Sequence, residues 1–594
     1  MRQNTEAIQR LALSGIFWRA ALFGLPSLFL VLMLGFPLFW IVRLSLGYPG
    51  FDLRAYIELY DSAVHLRVVG RTAAIAAMAT VAALVLGYPL AYVMAELRSP
   101  WRQLVLSIVS LPLWTSLLVR TYAWIIILAP NGPISRFLVW CGLASSPLEL
   151  LYNRLGTVIG LTHSVLPYLI LPIYASFLKL DPALIRAAGS LGARPAGVFI
   201  RIILPLTMPG VVSGCLFSFL LGLGAFVIPA LLGGPSERSI AMMIESTANQ
   251  QLNWNLAAAL ALEFLAATLV FIFVQHWLFG LGALLGTETP AAAVRRRLRP
   301  ITTAWRHATD AVATLRGRLE PVRIITPSVS SRAGRNKLNA VMVMFAGAAA
   351  LFLALPLFVV VPVSFSAAEY LQFPPPGLSL QWYERYLTNP RWLEATVLSV
   401  AIALIVVATS VTIGAFAAIA FARSSRWSRM FLGAACLAPM ILPNMIIALG
   451  LFFTFARLHL VGTVLGLVLA HSLLAVPFVF ISASAGLREV DGHLERAAAV
   501  LGARPLRVFA RITVPLLRPF LLTGGLFAFI ISFDEIVCAL FLTSVSVRTL
   551  PKMMWENIVM FVDPTISAVA VLLIATSSFL MLMSQKLQRS HSPT

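Results

Sequence analysis

Residues 180–206 read LDPALIRAAGSLGARPAGVFIRIILPL, and residues 490–516 read VDGHLERAAAVLGARPLRVFARITVPL. The two segments start 310 positions apart, and 16 of their 27 aligned positions are identical. Each one is a polar loop between long apolar runs. A loop repeated in this way indicates that the chain consists of two related halves. We expect this repeated loop to couple the protein's function to an energy source.

The composition is that of a protein embedded in a membrane. Of the 594 residues, 59% are hydrophobic and only 11% are charged, whereas soluble domains carry about 25% charged residues. The mean hydropathy is +0.90. The net charge of +21 is explained by basic loops on the cytoplasmic side of the membrane, since no soluble domain carries it. We therefore predict a lipid bilayer around the protein and no nucleic-acid partner.

Apolar runs long enough to cross a bilayer core, about 20 residues, occur six times in each half. The repeated loop follows the fourth run in both halves, and the region 429–485 admits a second division into spans. The sequence predicts an all-α polytopic membrane protein with two repeated six-helix halves, residues 1–285 and 339–594. The twelve predicted spans are 20–45, 71–96, 103–129, 156–178, 208–233, 256–284, 339–366, 395–422, 429–456, 461–485, 518–543 and 565–585.

Residues 286–338 join the two halves and are strongly basic. They contain eleven Lys or Arg, including the run RRRLR at 295–299, against three acidic residues. No run in this segment is long enough to cross a bilayer, so the excess of positive charge predicts a cytoplasmic linker. With twelve spans, this assignment also places both termini and both copies of the repeated loop in the cytoplasm.

Each copy of the loop predicts a short helix that ends at a glycine. Gly192 and Gly502 stand where a residue of left-handed conformation ends a helix, and Pro195 and Pro505 can open a second helix. Small alanines permit the close approach of a partner surface. The alternative is a helix that rests on its own bundle and carries alanine only for its helix propensity. The residues that share one helix face by their i, i+3, i+4, i+7 spacing are Leu184, Ala187, Ala188 and Leu191, and Leu494, Ala497, Ala498 and Leu501.

The element Ala-Ala-x3-Gly, followed by Ile and then Pro, resembles the signature loop of ABC-importer permeases. In that family the short helix docks into a cleft of a cytoplasmic ATPase subunit, and the resemblance implies the type I ABC-importer permease fold. Arg186 and Arg496 replace the acidic residue that usually precedes the alanine pair. Glu495 stands one position earlier, where the first half has Ile185. The ATPase-coupling residues implied are Arg186, Ala187, Ala188, Leu191, Gly192, Arg194, Pro195, Glu495, Arg496, Ala497, Ala498, Leu501, Gly502, Arg504 and Pro505.

Further segments resemble the two permeases of spermidine/putrescine importers. The first half carries LPLWTSLLVRTYAW at 111–124, NGP at 131–133 and GAFVIPALLGG at 224–234, which are similar to one of them. The second half carries SFDEIVCALFL at 532–542 and TLP at 549–551, which are similar to the other. The resemblance implies two permeases fused in one chain of the bacterial inner membrane, with a polyamine as cargo.

Other functions stay open at this point. Relatives with these motifs also carry ferric iron or phosphonates, so ferric iron and aminoethylphosphonate are alternative cargoes. An ATP-independent secondary transporter is also often built from six plus six spans, but it does not explain the duplicated loop. A non-transporting membrane scaffold explains only the long linker.

The chain lacks the phosphate-binding loop that ATP hydrolysis requires, because the motif G-x-x-x-x-G-K-[ST] does not occur in it. We therefore predict a transport component rather than an enzyme, with no catalytic residue and no cofactor of its own. The resemblance implies that ATP and Mg²⁺ are bound by two copies of a separate ATPase and that an extracytoplasmic solute-binding protein delivers the cargo. The four cysteines show neither metal-ligand nor disulfide spacing, so no metal site is predicted.

Ionisable side chains inside spans are costly in lipid and indicate a pathway or a buried pair. Asp534 and Glu535 are adjacent, and neighbouring helical residues point about 100° apart, so at most one of them faces a pathway squarely. A carboxylate there would attract a cationic polyamine. Alternatively, the carboxylate pairs with an arginine or a backbone group and only stabilises the packing of the helices. His163 and His471 are interpreted as packing residues held by a hydrogen bond. The candidate pathway residues are Trp114, Arg120, Tyr122, Glu263, Asp534 and Glu535, with a position in the membrane interface as the alternative for the two aromatic ones.

Overall fold

The computed structural model describes residues 22–193, 195–279, 340–489, 492–503, 505–560 and 564–589. The predicted linker at 286–338 lies outside these ranges, as do Arg194 and Arg504. Within them, all regular structure is helical apart from one isolated antiparallel bridge between Ser366 and Leu378. The predicted all-α class is therefore confirmed.

The first half contains helices α1 to α13. A π-helical turn, Val31–Gly35, lies inside α1, and a second one, Phe199–Ile203, joins α9 to α10. The bounds are α1 Leu22–Ser45, α2 Arg54–Asp61, α3 Ala63–Glu96, α4 Trp101–Trp114, α5 Leu117–Leu128, α6 Pro133–Trp140, α7 Arg154–Leu178, α8 Pro182–Ser190, α9 Pro195–Val198, α10 Leu204–Leu223, α11 Val227–Leu232, α12 Ile240–Asn249 and α13 Trp254–Phe279.

The second half repeats this order in helices α14 to α25, but its α18 leads to α19 through a short turn in place of α6. A π-helical turn, Phe509–Thr513, joins α21 to α22 as its counterpart does in the first half. The bounds are α14 Ala340–Ser364, α15 Gln381–Thr388, α16 Pro390–Ala422, α17 Arg426–Ile441, α18 Asn444–Arg457, α19 Val464–Glu489, α20 Gly492–Val500, α21 Pro505–Val508, α22 Val514–Asp534, α23 Val537–Leu542, α24 Leu550–Met560 and α25 Thr565–Arg589. The predicted repeat of two helical halves is confirmed.

The number of helices of spanning length is lower than the twelve predicted. In the described ranges, ten helical segments are long and apolar enough to cross a membrane, or eleven if α17 and α18 are counted as one span. These two helices meet at 102°. The apolar part of α25, Thr565–Thr576, is shorter than a full span in the part of the chain with described side chains.

Several predicted spans are divided by short non-helical segments. The third, 103–129, is interrupted at residues 115 and 116, which separate α4 from α5. The fifth span of each half is likewise broken, because α10 and α22 end before α11 and α23 begin. Between α17 and α18, Pro443 disfavours a helical conformation of the residue before it, and Leu442 is accordingly extended, with ψ 136°. Hydropathy averaged over a span does not detect such breaks, although polar residues lie at two of them, Thr115 and Ser116 at one and Asp534 and Glu535 at the other.

The first helix of each half packs against the other half. α1 contacts α18 as well as α13, and α14 contacts α3 and α5. The guanidinium of Arg457, at the end of α18, lies 3.5 Å from the ring centroid of Trp40 and 4.8 Å from that of Tyr48. These cation–π contacts fasten α18 to the first half. The two halves are therefore interlocked.

Candidate functional site

The repeated loop begins with a capped helix. The Asp181 carboxylate accepts a hydrogen bond from the backbone N of Ala183 at 2.8 Å, and Pro182 occupies the first position of α8. Both features favour a helix start, because they satisfy a free N–H group and fix φ in advance. In the second copy, α20 begins at Gly492, directly after two residues outside the described ranges.

Each loop helix ends at its glycine, as the sequence predicts. Gly192 has φ +77° and Gly502 has φ +82°, the left-handed region that L side chains rarely adopt. The N–H of Ala193 donates to the carbonyl of Ala188 at 3.0 Å, and Ala503 donates to Ala498 in the same way. This six-to-one hydrogen bond is the mark of a Schellman motif. The chain thus reverses sharply in both loops before the next helix, α9 or α21.

An apolar surface is left open at the tip of each loop. Leu191 is 88% exposed and Leu501 is 86% exposed. Ala187 and Ala497 are exposed beside them, whereas Ala188 and Ala498 are half-buried. Exposed apolar groups that recur at equivalent places indicate a surface for a partner. We call this surface the coupling face; it comprises Leu184, Ala187 and Leu191 in α8 and its turn, and Leu494, Ala497 and Leu501 in α20 and its turn.

Glu495 faces the bundle rather than the coupling face. Its Oε2 accepts from the guanidinium of Arg423 at 3.0 Å and its Oε1 from the hydroxyl of Thr513 at 2.6 Å. In the first half the equivalent positions are Ile185 and Ile203, both packed with the apolar core. One loop helix is therefore attached to its bundle by charged hydrogen bonds and the other by apolar contact. Arg186 is exposed, and the side chain of Arg496 is outside the described part.

Glu495→Ile is expected to loosen α20 by about 1–2 kcal/mol, because it removes an ion pair and leaves the Thr513 hydroxyl unpaired. The double variant Glu495→Ile/Thr513→Ile copies the first half and should recover most of this loss. Hydrogen exchange of the α20 amides measures the effect, with Ile185→Val as a conservative control in α8. Unchanged exchange in the single variant, or faster exchange in the double than in the single variant, would contradict this account of the attachment.

A second site joins the two halves inside the bundle. At the end of α22, the Asp534 Oδ1 accepts from the hydroxyl of Ser116 at 2.5 Å, and its Oδ2 accepts from the backbone N of Leu117 at 3.0 Å. Ser116 immediately precedes α5, so Asp534 caps this helix from the opposite half. One turn further on, the Arg120 Nε donates to the Ser116 carbonyl at 3.4 Å, and its charge attracts that of Asp534.

A small cavity adjoins Asp534. Its volume is about 20 Å³, which is room for a single water molecule. The Trp114 ring lies there with its centroid 5.2 Å from that of Phe527, a contact that again joins the two halves. Carboxylate and aromatic faces together are the groups that attract an ammonium ion. Besides Asp534, the lining includes Trp114, Ser116, Phe529, Phe533 and Met554.

Glu535 turns away from this cavity, although it is adjacent to Asp534 in sequence. It is buried, and its Oε1 accepts from the backbone N of Cys538 at 2.9 Å. Glu535 therefore caps α23, because it accepts from one of the first N–H groups of that helix, which lack partners within it.

Tyr122 and Glu263 make their contacts elsewhere and do not line the cavity beside Asp534. Tyr122 is fully buried, and its hydroxyl accepts from that of Ser567 at 3.3 Å, which links α5 to α25. The Glu263 Oε1 on α13 lies 3.9 Å from the His65 Nε2 on α3. Of the candidate pathway residues, the structure therefore brings together Trp114, Arg120 and Asp534.

His163 and His471 are both buried and each makes a hydrogen bond, as their interpretation as packing residues predicts. His163 Nε2 lies 3.1 Å from the carbonyl of Leu353, and His471 Nδ1 lies 3.0 Å from the hydroxyl of Ser532. Among the residues that the structure describes, no group of three His, Cys, Asp or Glu side chains could hold a metal ion.

Several proteins of known role are similar to parts of this chain. The spermidine/putrescine transport system permease protein PotB of Haemophilus influenzae is 35% identical over 222 residues, which are 37% of this chain and 77% of that protein. The putrescine transport system permease protein PotI of Escherichia coli K12 is 33% identical over 231 residues, 38% of this chain and 82% of that protein. A crystal structure of a bacterial ABC transporter involved in the import of the acidic polysaccharide alginate matches 47% of this chain and 98% of its own, with 19% identity and a TM-score of 0.38.

The family model of binding-protein-dependent transport system inner membrane components matches two segments, residues 84–281 and 410–592. Each segment contains one copy of the repeated loop, and together they cover more than half of the chain. Their positions correspond to the two helical halves. The chain belongs to the family of binding-protein-dependent transport system inner membrane components, and it carries the family's domain twice.

Proposed function

We propose that this chain forms the whole translocation pathway of an ATP-driven importer, with two permease subunits fused in one polypeptide. The family domain occurs twice, and PotB and PotI each align over about four fifths of their own length but little more than a third of this chain. A single chain with two halves replaces the pair of permeases that such a pathway requires. The segment 286–338 is the cytoplasmic linker between them.

The observation that carries this proposal is the pair of coupling faces. Both present exposed alanine and leucine side chains on a helix that a left-handed glycine ends. We assign both loops and both termini to the cytoplasm of the inner membrane on the basis of charge. Each coupling face then docks into one of two ATPase subunits, which bind ATP and Mg²⁺.

A polyamine is the proposed cargo. Relatives of this chain are permeases of spermidine/putrescine and putrescine transport systems. The Asp534 carboxylate beside Trp114 supplies negative charge and an aromatic face, which together suit a primary ammonium group. An extracytoplasmic solute-binding protein delivers the cargo to the outer side.

The connection between loop and bundle explains how ATP drives the pathway. α9 and α21 continue through their π-helical turns into α10 and α22, so the segments Phe199–Leu223 and Phe509–Asp534 each form a continuous apolar span. When the ATPase subunits close on ATP, they draw the two loops together and move these helices as levers. Hydrolysis and release return the pathway to its inward-open form.

ATPase activity in lipid nanodiscs tests this proposal. The chain is co-purified with its ATPase, and candidate binding proteins are added empty or loaded with spermidine, putrescine, ferric iron or aminoethylphosphonate. We expect stimulation by the polyamine-loaded protein alone. Stimulation by an iron-loaded or phosphonate-loaded protein would change the proposed cargo but agree with the proposed importer function. Gradient-driven uptake without any ATPase would contradict the importer function itself.

A further inference from the structure

The Asp534 contact is a helix cap supplied across the interface between the halves. The first N–H groups of any helix lack partners within that helix and carry partial positive charge. In α5, a carboxylate 417 positions away along the chain satisfies one of them. The same carboxylate holds the Ser116 hydroxyl at 2.5 Å. The two halves are thus fastened at this point by one anionic side chain.

The symmetry-related contact has no such fastening. Gly224 is the counterpart of Asp534, and a Cβ placed on it would lie 3.6 Å from the Cβ of Pro443, the residue before α18. Glycine offers no side-chain acceptor, and proline offers no N–H donor. Only one of the two equivalent contacts between the halves is therefore polar and charged.

Asp534 is also the last residue of the helix that follows the second loop, so a movement of that loop is transmitted to it. α22 ends at Asp534 and continues without a break from the π-helical turn that follows the loop. A lever movement of α22 against the first half must separate the carboxylate from Ser116 and Leu117, and with them from the charge of Arg120 on the same helix α5. A carboxylate left without partners in a low-dielectric interior is strongly unfavourable, so the separated state requires a replacement cation.

We propose that Asp534 is a latch between the halves that the cargo itself releases. At rest the carboxylate binds Ser116 and the N-terminus of α5. In the moving pathway an ammonium group of the cargo takes their place, with the Trp114 ring beside it. The pathway therefore opens at low cost only when a cation is in it. This inference rests on the proposed function and adds to it the residue that senses the charge of the cargo.

Three variants test the latch in the nanodisc assay and in uptake by proteoliposomes. Asp534→Asn removes the charge, and we expect it to lower polyamine uptake at least ~10-fold, since hydrogen bonds to a charged group are the strong ones. Ser116→Ala keeps the carboxylate but weakens the resting contact. We expect it to raise ATPase activity with empty binding protein at least ~10-fold, the value of one hydrogen bond to a charged group, while uptake falls far less than in Asp534→Asn. Gly224→Ala at the uncharged contact should change neither quantity, because its added Cβ makes only ordinary contacts.

The outcomes separate the latch from the proposed function. A wild-type complex that no polyamine-loaded binding protein stimulates contradicts the proposed function before any variant is compared. A responsive wild type combined with unchanged uptake by Asp534→Asn overturns the latch. If Asp534→Asn gives no stable protein, Ser116→Ala decides alone, and an unchanged ratio of loaded to empty ATPase activity then overturns the proposal.

Discussion

Gly192→Asp, or its counterpart Gly502→Asp, is expected to reduce ATP-driven uptake at least ~10-fold while the chain still inserts in the membrane. Both glycines have positive φ, and nothing lies within 4 Å of an added Cβ, so the effect does not come from a clash. An L side chain in this conformation costs about 1–2 kcal/mol, which is a factor of about 5–30 in the population of the correct turn. The new charge also lies beside the exposed Leu191 or Leu501, where it opposes apolar docking.

Two matched variants separate the backbone effect from the charge. Gly189→Asp adds the same charge on α8 at a glycine with open space around it and no positive φ, so it reports the charge alone. Gly192→Ala is neutral and brings a Cβ into the left-handed region, so it reports the backbone effect alone and should also lower uptake. Uptake and ATPase stimulation are measured on the same preparations. Normal uptake by well-inserted Gly192→Asp and Gly502→Asp would refute the coupling role of these turns.

Gly214→Leu is expected to destabilise the first half severely. α10 and α7 cross so closely there that an added Cβ would lie 2.8 Å from the carbonyl oxygen and 3.0 Å from the Cα of Leu169. Those atoms belong to the backbone and cannot move aside, and membrane helices depend on such small residues for close packing. Overpacking costs about 1–3 kcal/mol or more. The second half repeats the contact at Gly524, whose Cβ would lie 3.0 Å from the Cα of Val479.

Thermal stability in detergent, followed by size-exclusion chromatography, measures this effect. We expect the midpoint for Gly214→Leu to fall by at least ~5 °C, with a lower yield of monodisperse protein. Gly70→Leu is the matched control, because Gly70 lies in the spanning helix α3 with nothing within 4 Å of an added Cβ. Equal midpoints for the two variants would show that the close approach of α7 and α10 does not limit stability.

The repeated loop was predictable because its determinants are local. A capping aspartate, an alanine face and a glycine of left-handed conformation all act within one short segment, and the structure has each of them in place in α8. The same holds for the two-half organisation, which follows directly from the repeat. Hydropathy also located the spanning helices α3, α7 and α16.

The breaks in the spans and the contact at Asp534 could not be predicted in this way. The break between α4 and α5 falls on Thr115 and Ser116, a polar pair too short to lower the mean hydropathy of residues 111–128 to that of a loop. That break depends on a cap from the other half. The capping residue, Asp534, lies 418 positions from Ser116 along the chain. The sequence singled out Asp534 but gave no reason to select Ser116, one of several hydroxyl-bearing residues between 111 and 128. Glu495 is a similar case, since only the fold brings Arg423 to it.

Site-specific cross-linking between the coupling faces and the ATPase tests the central claim most directly. In a background with the four native cysteines replaced, Ala187→Cys and Ala497→Cys each place one thiol on an exposed position of a coupling face. Trp140→Cys, an exposed position at the end of α6, is the control. The account predicts that each coupling-face thiol links the chain to one ATPase subunit and that the control links to none. An active complex in which neither Ala187→Cys nor Ala497→Cys reaches the ATPase would contradict it.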